Sequence, residues 1–99
     1  LYNGKIKNPA YTASKHGLIG LTKHLAVILA EDNIRVNCIG PGGVKETIKD
    51  KDFIVKYNKQ VPLKTTIPIS EVMKTIIYLL SMETITGQNI IIDGGYSLI

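Results

Sequence analysis

The stretch Ala10-Tyr11-Thr12-Ala13-Ser14-Lys15-His16-Gly17-Leu18-Ile19-Gly20 decides how this chain is read. It opens an apolar-periodic segment, so Tyr11 and Lys15, four positions apart, fall one above the other on the same face of a helix. A phenol titrates near ~10 and is a poor proton donor or acceptor at neutral pH. An ammonium held beside it favours the phenolate and brings the hydroxyl into the range of acid–base work. The same pair can also be read as a helix-terminal aromatic packed on a neighbour and a solvated lysine.

Working outward, Asn3-Gly4 and Asn8-Pro9 are turn signals, and Asn8-Pro9 is placed to start a helix with Pro9 in its first turn. From Ala10 to about Asp32, Leu18, Leu21, Leu25, Ile28 and Leu29 recur at helical steps, and Ile19, Ala26 and Ala30 widen the stripe. The spacing predicts a helix with more than one covered face, ended by Asp32-Asn33. Ile34–Ile39 reads as a short buried strand stopped by Gly40-Pro41-Gly42-Gly43. Pro41 lacks an amide hydrogen and the glycines permit positive φ, so this turn lets backbone approach a flat ligand closely. An ordinary strand-ending turn has the same composition.

Beyond the turn, Phe53, Ile54, Tyr57 and Val61 stand at helical spacing among charges, which predicts one or two short helices between Lys45 and Pro62. Leu63–Pro68 reads as a linker-like turn region. Ser70 is the expected N-cap of an apolar helix from Glu71 to about Leu80. A strand over Asn89–Ile92 closes at Asp93-Gly94-Gly95. Helix, strand, helix, strand is the pattern of a parallel α/β sheet. Two such strands alone leave a broad apolar face and an unpaired edge.

The 99 residues suffice for one domain, and their 44% hydrophobic content supplies a core. No apolar run approaches the ~20 residues that cross a bilayer, so no membrane span is expected. No basic-then-apolar leader opens the sequence, and the lone Cys38 cannot form an internal disulfide; both suit a reducing cytoplasm. The first residue is Leu1, so the chain reads as an incomplete single domain over residues 1–99. The net charge of +4 is carried by lysines, with Arg35 the sole arginine. Nucleic-acid binding would call for arginine or aromatic clustering on one face, which is missing. The lysines between Lys45 and Lys64 read instead as a solvated surface, or as a lure for an anionic substrate. His16 and His24 lack further ligands at metal spacing, so no metal site is expected. Cys38 reads as a small core residue.

With these segments in place, the sequence resembles the short-chain dehydrogenases/reductases. Tyr11-Thr12-Ala13-Ser14-Lys15 has the form of their Tyr-x-x-x-Lys signature. The resemblance continues through Asn33-Ile34-Arg35-Val36-Asn37-Cys38-Ile39-Gly40-Pro41-Gly42-Gly43-Val44 and ends with Thr86-Gly87-Gln88-Asn89-Ile90-Ile91-Ile92-Asp93-Gly94-Gly95. Each motif is weak alone; together, in the family's order and spacing, they are strong. Only the C-terminal portion of such an enzyme is matched. The implied fold is the end of a doubly wound parallel-sheet (Rossmann-type) domain, its last two strands and their helices.

The resemblance implies hydride transfer between NAD or NADP and a small-molecule carbonyl or alcohol. Tyr11 would donate or accept the substrate proton. Lys15 would lower the tyrosine's pKa and bind the nicotinamide ribose. Pro41, Gly42, Gly43 and Val44 would line the nicotinamide, with the Val44 backbone pairing its carboxamide. The family's Gly-rich phosphate loop is missing, and its catalytic serine would lie ahead of Leu1; Ser14 is not that serine. Glu46 stands where the family has a cofactor-touching threonine, with Thr47 one step late, and Ser81–Thr86 is shorter than usual. Such a chain is expected to be inactive alone and to lean on a missing N-terminal half or on another copy of itself. The family's subunit contacts imply a homo-oligomer through the Tyr11 helix or the closing strand. A reading of another class is an interaction module that keeps those contacts and has lost catalysis.

Overall fold

The computed structural model of the chain describes residues 8–99, so the Asn3-Gly4 turn lies outside the described residues. In order, the elements are helix α1 (Pro9–Ile28), strand β1 (Cys38–Pro41), helix α2 (Lys51–Gln60), helix α3 (Ile69–Ser81) and strand β2 (Asn89–Ile92). Short 3-10 turns occupy Leu29–Asp32, Lys45–Thr47 and Tyr96–Leu98. The two strands are hydrogen-bonded neighbours. Cys38 N–H donates to the Gln88 carbonyl at 2.9 Å and Gly42 N–H to the Ile92 carbonyl at 2.8 Å. The sequence offset is the same at both ends, which only parallel pairing gives. The residues form two compact units, one running to Cys38 and including Thr86–Gln88, the other made of Ile39–Ile85 and Asn89–Ile99.

In the first unit, α1 starts where Asn8-Pro9 predicts it. The Asn8 side chain accepts from Ala10 N–H at 2.9 Å, and Pro9 holds the first helical position, where its missing N–H costs nothing. The helix tightens into the 3-10 turn and ends at Asn33, whose φ of 57° is the left-handed stop that asparagine tolerates. Its buried residues are Thr22 and Ala26, while Leu18, Leu21, Val27 and Ile28 are exposed. This corrects the expected covered stripe. Close approach selects small side chains: a Cβ at Gly87 would lie 3.4 Å from that of Ala26.

The strand expected over Ile34–Ile39 is displaced to Cys38–Pro41. Ile34 N–H returns to the Leu29 carbonyl, and Val36 N–H is taken by the Thr86 hydroxyl, so no regular ladder begins before Cys38. Pro41 is tolerated because the ladder bond at that end comes from Gly42, leaving its missing N–H on the side away from β2. With one partner strand, β1 is half-buried rather than buried, and Cys38 is likewise half-buried instead of a core residue.

In the second unit, the Asp50 side chain accepts from the Asp52 and Phe53 N–H groups at 2.9 and 3.2 Å and starts α2. That helix buries Tyr57, and Val61 just beyond it is fully enclosed. Leu63–Pro68 is more than a linker. Thr66 and Ile67 are buried, and Ile67 makes a parallel bridge with Val44. Helix α3 begins two residues earlier than expected, at Ile69 with Pro68 as its cap residue, so Ser70 lies inside the helix. The capping acceptor comes from elsewhere in the sequence: Glu46 Oε2 accepts from Ile69 N–H at 3.0 Å. A carboxylate there also complements the positive end of the helix dipole. No helix among the described residues is long and apolar enough to cross a membrane.

Replacing Glu46 by alanine is expected to lower stability by about 1 kcal/mol, the usual cost of a lost N-terminal cap. Ser70→Ala should change stability by less than about 0.5 kcal/mol. Urea unfolding of the two variants separates the caps, and a larger loss for Ser70→Ala would show that the serine starts α3.

Candidate active site

Tyr11 and Lys15 occupy the opening of α1, where Asn8 and Pro9 fix the first helical turn. The helical repeat brings Lys15 Nζ to 5.4 Å from the Tyr11 ring centre, within the range where a cation is attracted to an aromatic face. Tyr11 is 49% exposed and Lys15 is exposed. Ser14 is turned back on the helix, its hydroxyl donating to the Tyr11 carbonyl at 2.8 Å. His16 Nδ1 lies 2.9 Å from the Thr12 carbonyl in the same way.

Pro41, Gly42, Gly43 and Val44 lie in the second unit, where the chain leaves β1. The glycines do not serve here through positive φ, as the sequence suggests; among the described glycines that conformation falls on Gly87, Gly94 and Gly95. They serve through the absence of a side chain. A Cβ on Gly42 would stand 2.9 Å from the Tyr57 hydroxyl, and one on Gly43 would stand 3.0 Å from two carbons of that ring. Tyr57 lies over the turn, and its Oη accepts from Gly43 N–H at 2.8 Å. Phe53 and Tyr96 both stack with Tyr57, with ring centres 5.9 and 5.4 Å away.

Val44 is fixed by the Ile67 bridge. Ile67 N–H donates to the Gly43 carbonyl at 2.8 Å, and Lys45 N–H donates to the Ile67 carbonyl at 2.9 Å. In extended backbone those two groups share one side, so Val44 N–H faces the other. The Val44 carbonyl already accepts from Thr47, from its N–H at 3.1 Å and its hydroxyl at 2.9 Å. The turn therefore offers a planar amide a donor at Val44 rather than an acceptor. That fits the oxygen of a carboxamide. Glu46 is committed to α3 and Thr47 to Val44, so neither supplies the threonine contact that the resemblance would place at 46.

Beside this turn, Asp93 closes β2. Its Oδ1 accepts from Gly95 N–H and its Oδ2 from Ser97 N–H, both at 2.9 Å. Burial pushes its carboxyl up, but hydrogen bonds from the Ser97 side chain and from the Ser97, Gly95 and Tyr96 backbone outweigh this and hold it below its ordinary value. A groove of about 570 Å³ runs past Asp93, Glu71, Thr66 and Ser97. Residues 41–44 do not line it.

A family model described as enoyl-(acyl carrier protein) reductase matches residues 3–97. Carbonyl reductase family member 4 of Xenopus laevis is 37% identical over 97 residues, a match covering 98% of this chain and 41% of that protein. The 3-oxoacyl-[acyl-carrier-protein] reductase of Mus musculus is 34% identical over 95 residues, covering 96% and 40%. A solved 4-hydroxyisoleucine dehydrogenase complexed with NADH superimposes with a TM-score of 0.84 at 36% identity, over 97% of this chain and 42% of that one. A short chain dehydrogenase family protein from Francisella tularensis gives 0.83 at 32%, over 99% and 47%. The chain belongs to the short-chain dehydrogenase/reductase family. It spans about 40% of the length of the curated relatives it matches. As a short-chain dehydrogenase/reductase sequence, its paired strands and helices are part of a Rossmann-type α/β domain.

Two residues of this neighbourhood escape sequence reasoning. Tyr57 reads only as one of the helically spaced residues between Lys45 and Pro62, and Glu46 only as a departure from a motif. The glycine pair at 42 and 43 is the one signal that something must pack close, but nothing in sequence spacing points to position 57.

Gly43→Ala is expected to cost about 1–3 kcal/mol, because its Cβ meets an enclosed ring rather than a mobile chain end; urea unfolding measures it. Asp93 titrates below its ordinary value in the folded chain, so its contribution is present above the unfolded value, near ~4, and is lost as pH falls through the folded one. Stability should therefore decline in acid, and Asp93→Asn should flatten that part of the profile. An unchanged acid limb in the asparagine variant would exclude Asp93 as its source.

Proposed function

We propose that this chain is the C-terminal half of the dinucleotide-binding domain of an oxidoreductase that moves hydride between NAD or NADP and a carbonyl or alcohol substrate. The observation that carries the reading is the pairing of Tyr11 and Lys15 at the head of α1, with the ammonium 5.4 Å from the ring centre. Family membership supports it, as do the names of the relatives, which are reductases and dehydrogenases. The dehydrogenase neighbour was solved with NADH.

When bound, the nicotinamide supplies or accepts the hydride. In the reductive direction Tyr11 gives its hydroxyl proton to the substrate oxygen while hydride arrives at carbon; in oxidation the proton returns to Tyr11. The Lys15 charge stabilises negative charge developing on the tyrosine oxygen, and its three donors also suit the ribose hydroxyls. Pro41, Gly42 and Gly43 would form the wall beside the nicotinamide, and Val44 N–H would bind its carboxamide oxygen. The Gly-rich phosphate loop and the partner serine come from outside this sequence, so the 99 residues alone are inactive. The half-exposed apolar side chains of α1 and α3 fit a domain completed by further chain, and assembly with a second copy. The lone cysteine suits a cytoplasmic setting.

The test is turnover by the intact protein that carries these residues, with NADH and NADPH, against simple ketones and 3-oxoacyl thioesters. Tyr11→Phe is expected to lower kcat by about 10²–10⁴-fold, the usual worth of a positioned acid–base group, with Lys15→Met also impaired. Full turnover in the phenylalanine variant would remove Tyr11 from the mechanism. An intact protein that assembles but neither binds nor oxidises either cofactor would be an interaction module instead.

A further inference from the structure

Two adjacent glycines are the least constrained backbone a chain can have, yet they immediately precede the amide that has to meet the cofactor. Left alone, Gly42 and Gly43 would let the Val44 N–H wander, and each binding event would have to order it. The structure restrains this segment from both sides. Ile67 holds the Gly43 carbonyl at 2.8 Å, and that carbonyl shares a rigid peptide plane with Val44 N–H. On the preceding peptide, Tyr57 Oη takes Gly43 N–H at 2.8 Å. The Tyr57 ring, 3% exposed and stacked with Phe53 and Tyr96, fills the space that side chains at 42 and 43 would need. The hydroxyl reaches the turn only because both residues are glycine.

We propose that Tyr57 is a positioning residue for the cofactor: its buried ring and hydroxyl lock the Gly42–Gly43 turn so that Val44 N–H is preset for the carboxamide oxygen of the nicotinamide. The inference rests on the hydride-transfer reading given above and extends it to a residue outside the signature motifs. Tyr57 acts through the backbone and touches neither substrate nor cofactor in this role.

The test is made on the intact protein, by titrating NADH and its thionicotinamide analogue, whose sulfur is a poor hydrogen-bond acceptor in place of the carboxamide oxygen. Wild type should prefer NADH. Tyr57→Phe keeps the ring and removes the hydroxyl, and it should weaken NADH about five- to tenfold, roughly the worth of one neutral hydrogen bond, while the analogue changes little. The preference between the two cofactors therefore narrows. A tyrosine needed only for packing would weaken both equally, or neither, and either result overturns the proposal. Should the phenylalanine variant fail to fold, Gly43→Ala displaces the ring with the hydroxyl intact and must narrow the preference in the same way; an unchanged preference there also overturns it. A wild-type protein that binds neither dinucleotide overturns the hydride-transfer reading together with this one. A wild type that binds and turns over, with Tyr57→Phe indistinguishable from it, overturns only the positioning role.

Discussion

The Tyr57 ring stands where side chains at positions 42 and 43 would otherwise be, and much of the second unit is arranged around that exchange. Helix α2 delivers the ring, Phe53 and Tyr96 hold it flat, and its hydroxyl takes the Gly43 N–H. The same segment then anchors the closing turn. Val61, fully enclosed, would clash with a Cβ on Gly94, and Leu63 N–H donates to the Gly94 carbonyl at 3.0 Å. Gly94 and Gly95, with φ of 63° and 92°, accept a backbone shape that other residues resist. Missing side chains on one strand end and a large aromatic from a helix are thus one packing solution. Neither half makes sense alone.

Polar side chains in this chain are spent largely on backbone groups. Asn8 and Asp50 start helices from the adjacent position, Glu46 starts α3 from a remote one, and Asp93 gathers the amides of the last turn. Each satisfies N–H groups that helix and turn geometry leaves without an internal partner. These residues are structural by their contacts, whatever their chemistry would permit. Tyr11 and Lys15 also meet each other across one helical turn, the ammonium 5.4 Å from the ring centre.

Among the described residues the enclosed apolar side chains are Ala26, Tyr57, Val61, Ile67 and Leu79, while Leu18, Leu21, Ile76 and Leu80 are exposed. Two parallel strands cannot cover the apolar faces of their helices, because each strand supplies one row of side chains per sheet face. The short-chain dehydrogenases/reductases that share this arrangement are more than twice as long, as the 41% coverage of the Xenopus relative requires. The exposed leucines and isoleucines are thus what the physics of a partial sheet predicts.

The sequence by itself determined both ends of α1, the closing strand and the spacing of Tyr11 and Lys15, because those depend on neighbours a few positions apart. Asn8-Pro9 began α1, Asn33 ended it, Asn89–Ile92 formed the closing strand, and the four-residue step placed Lys15 beside Tyr11. Only the tertiary structure decided the rest. The first strand moved to Cys38–Pro41 because its hydrogen-bond partners lie near Gln88 and Ile92, far along the chain. Ser70 yielded the cap of α3 to Glu46 because a carboxylate from a separate turn reached Ile69 first. The glycine pair owed its identity to Tyr57, since steric exclusion between remote segments leaves no periodic trace in sequence.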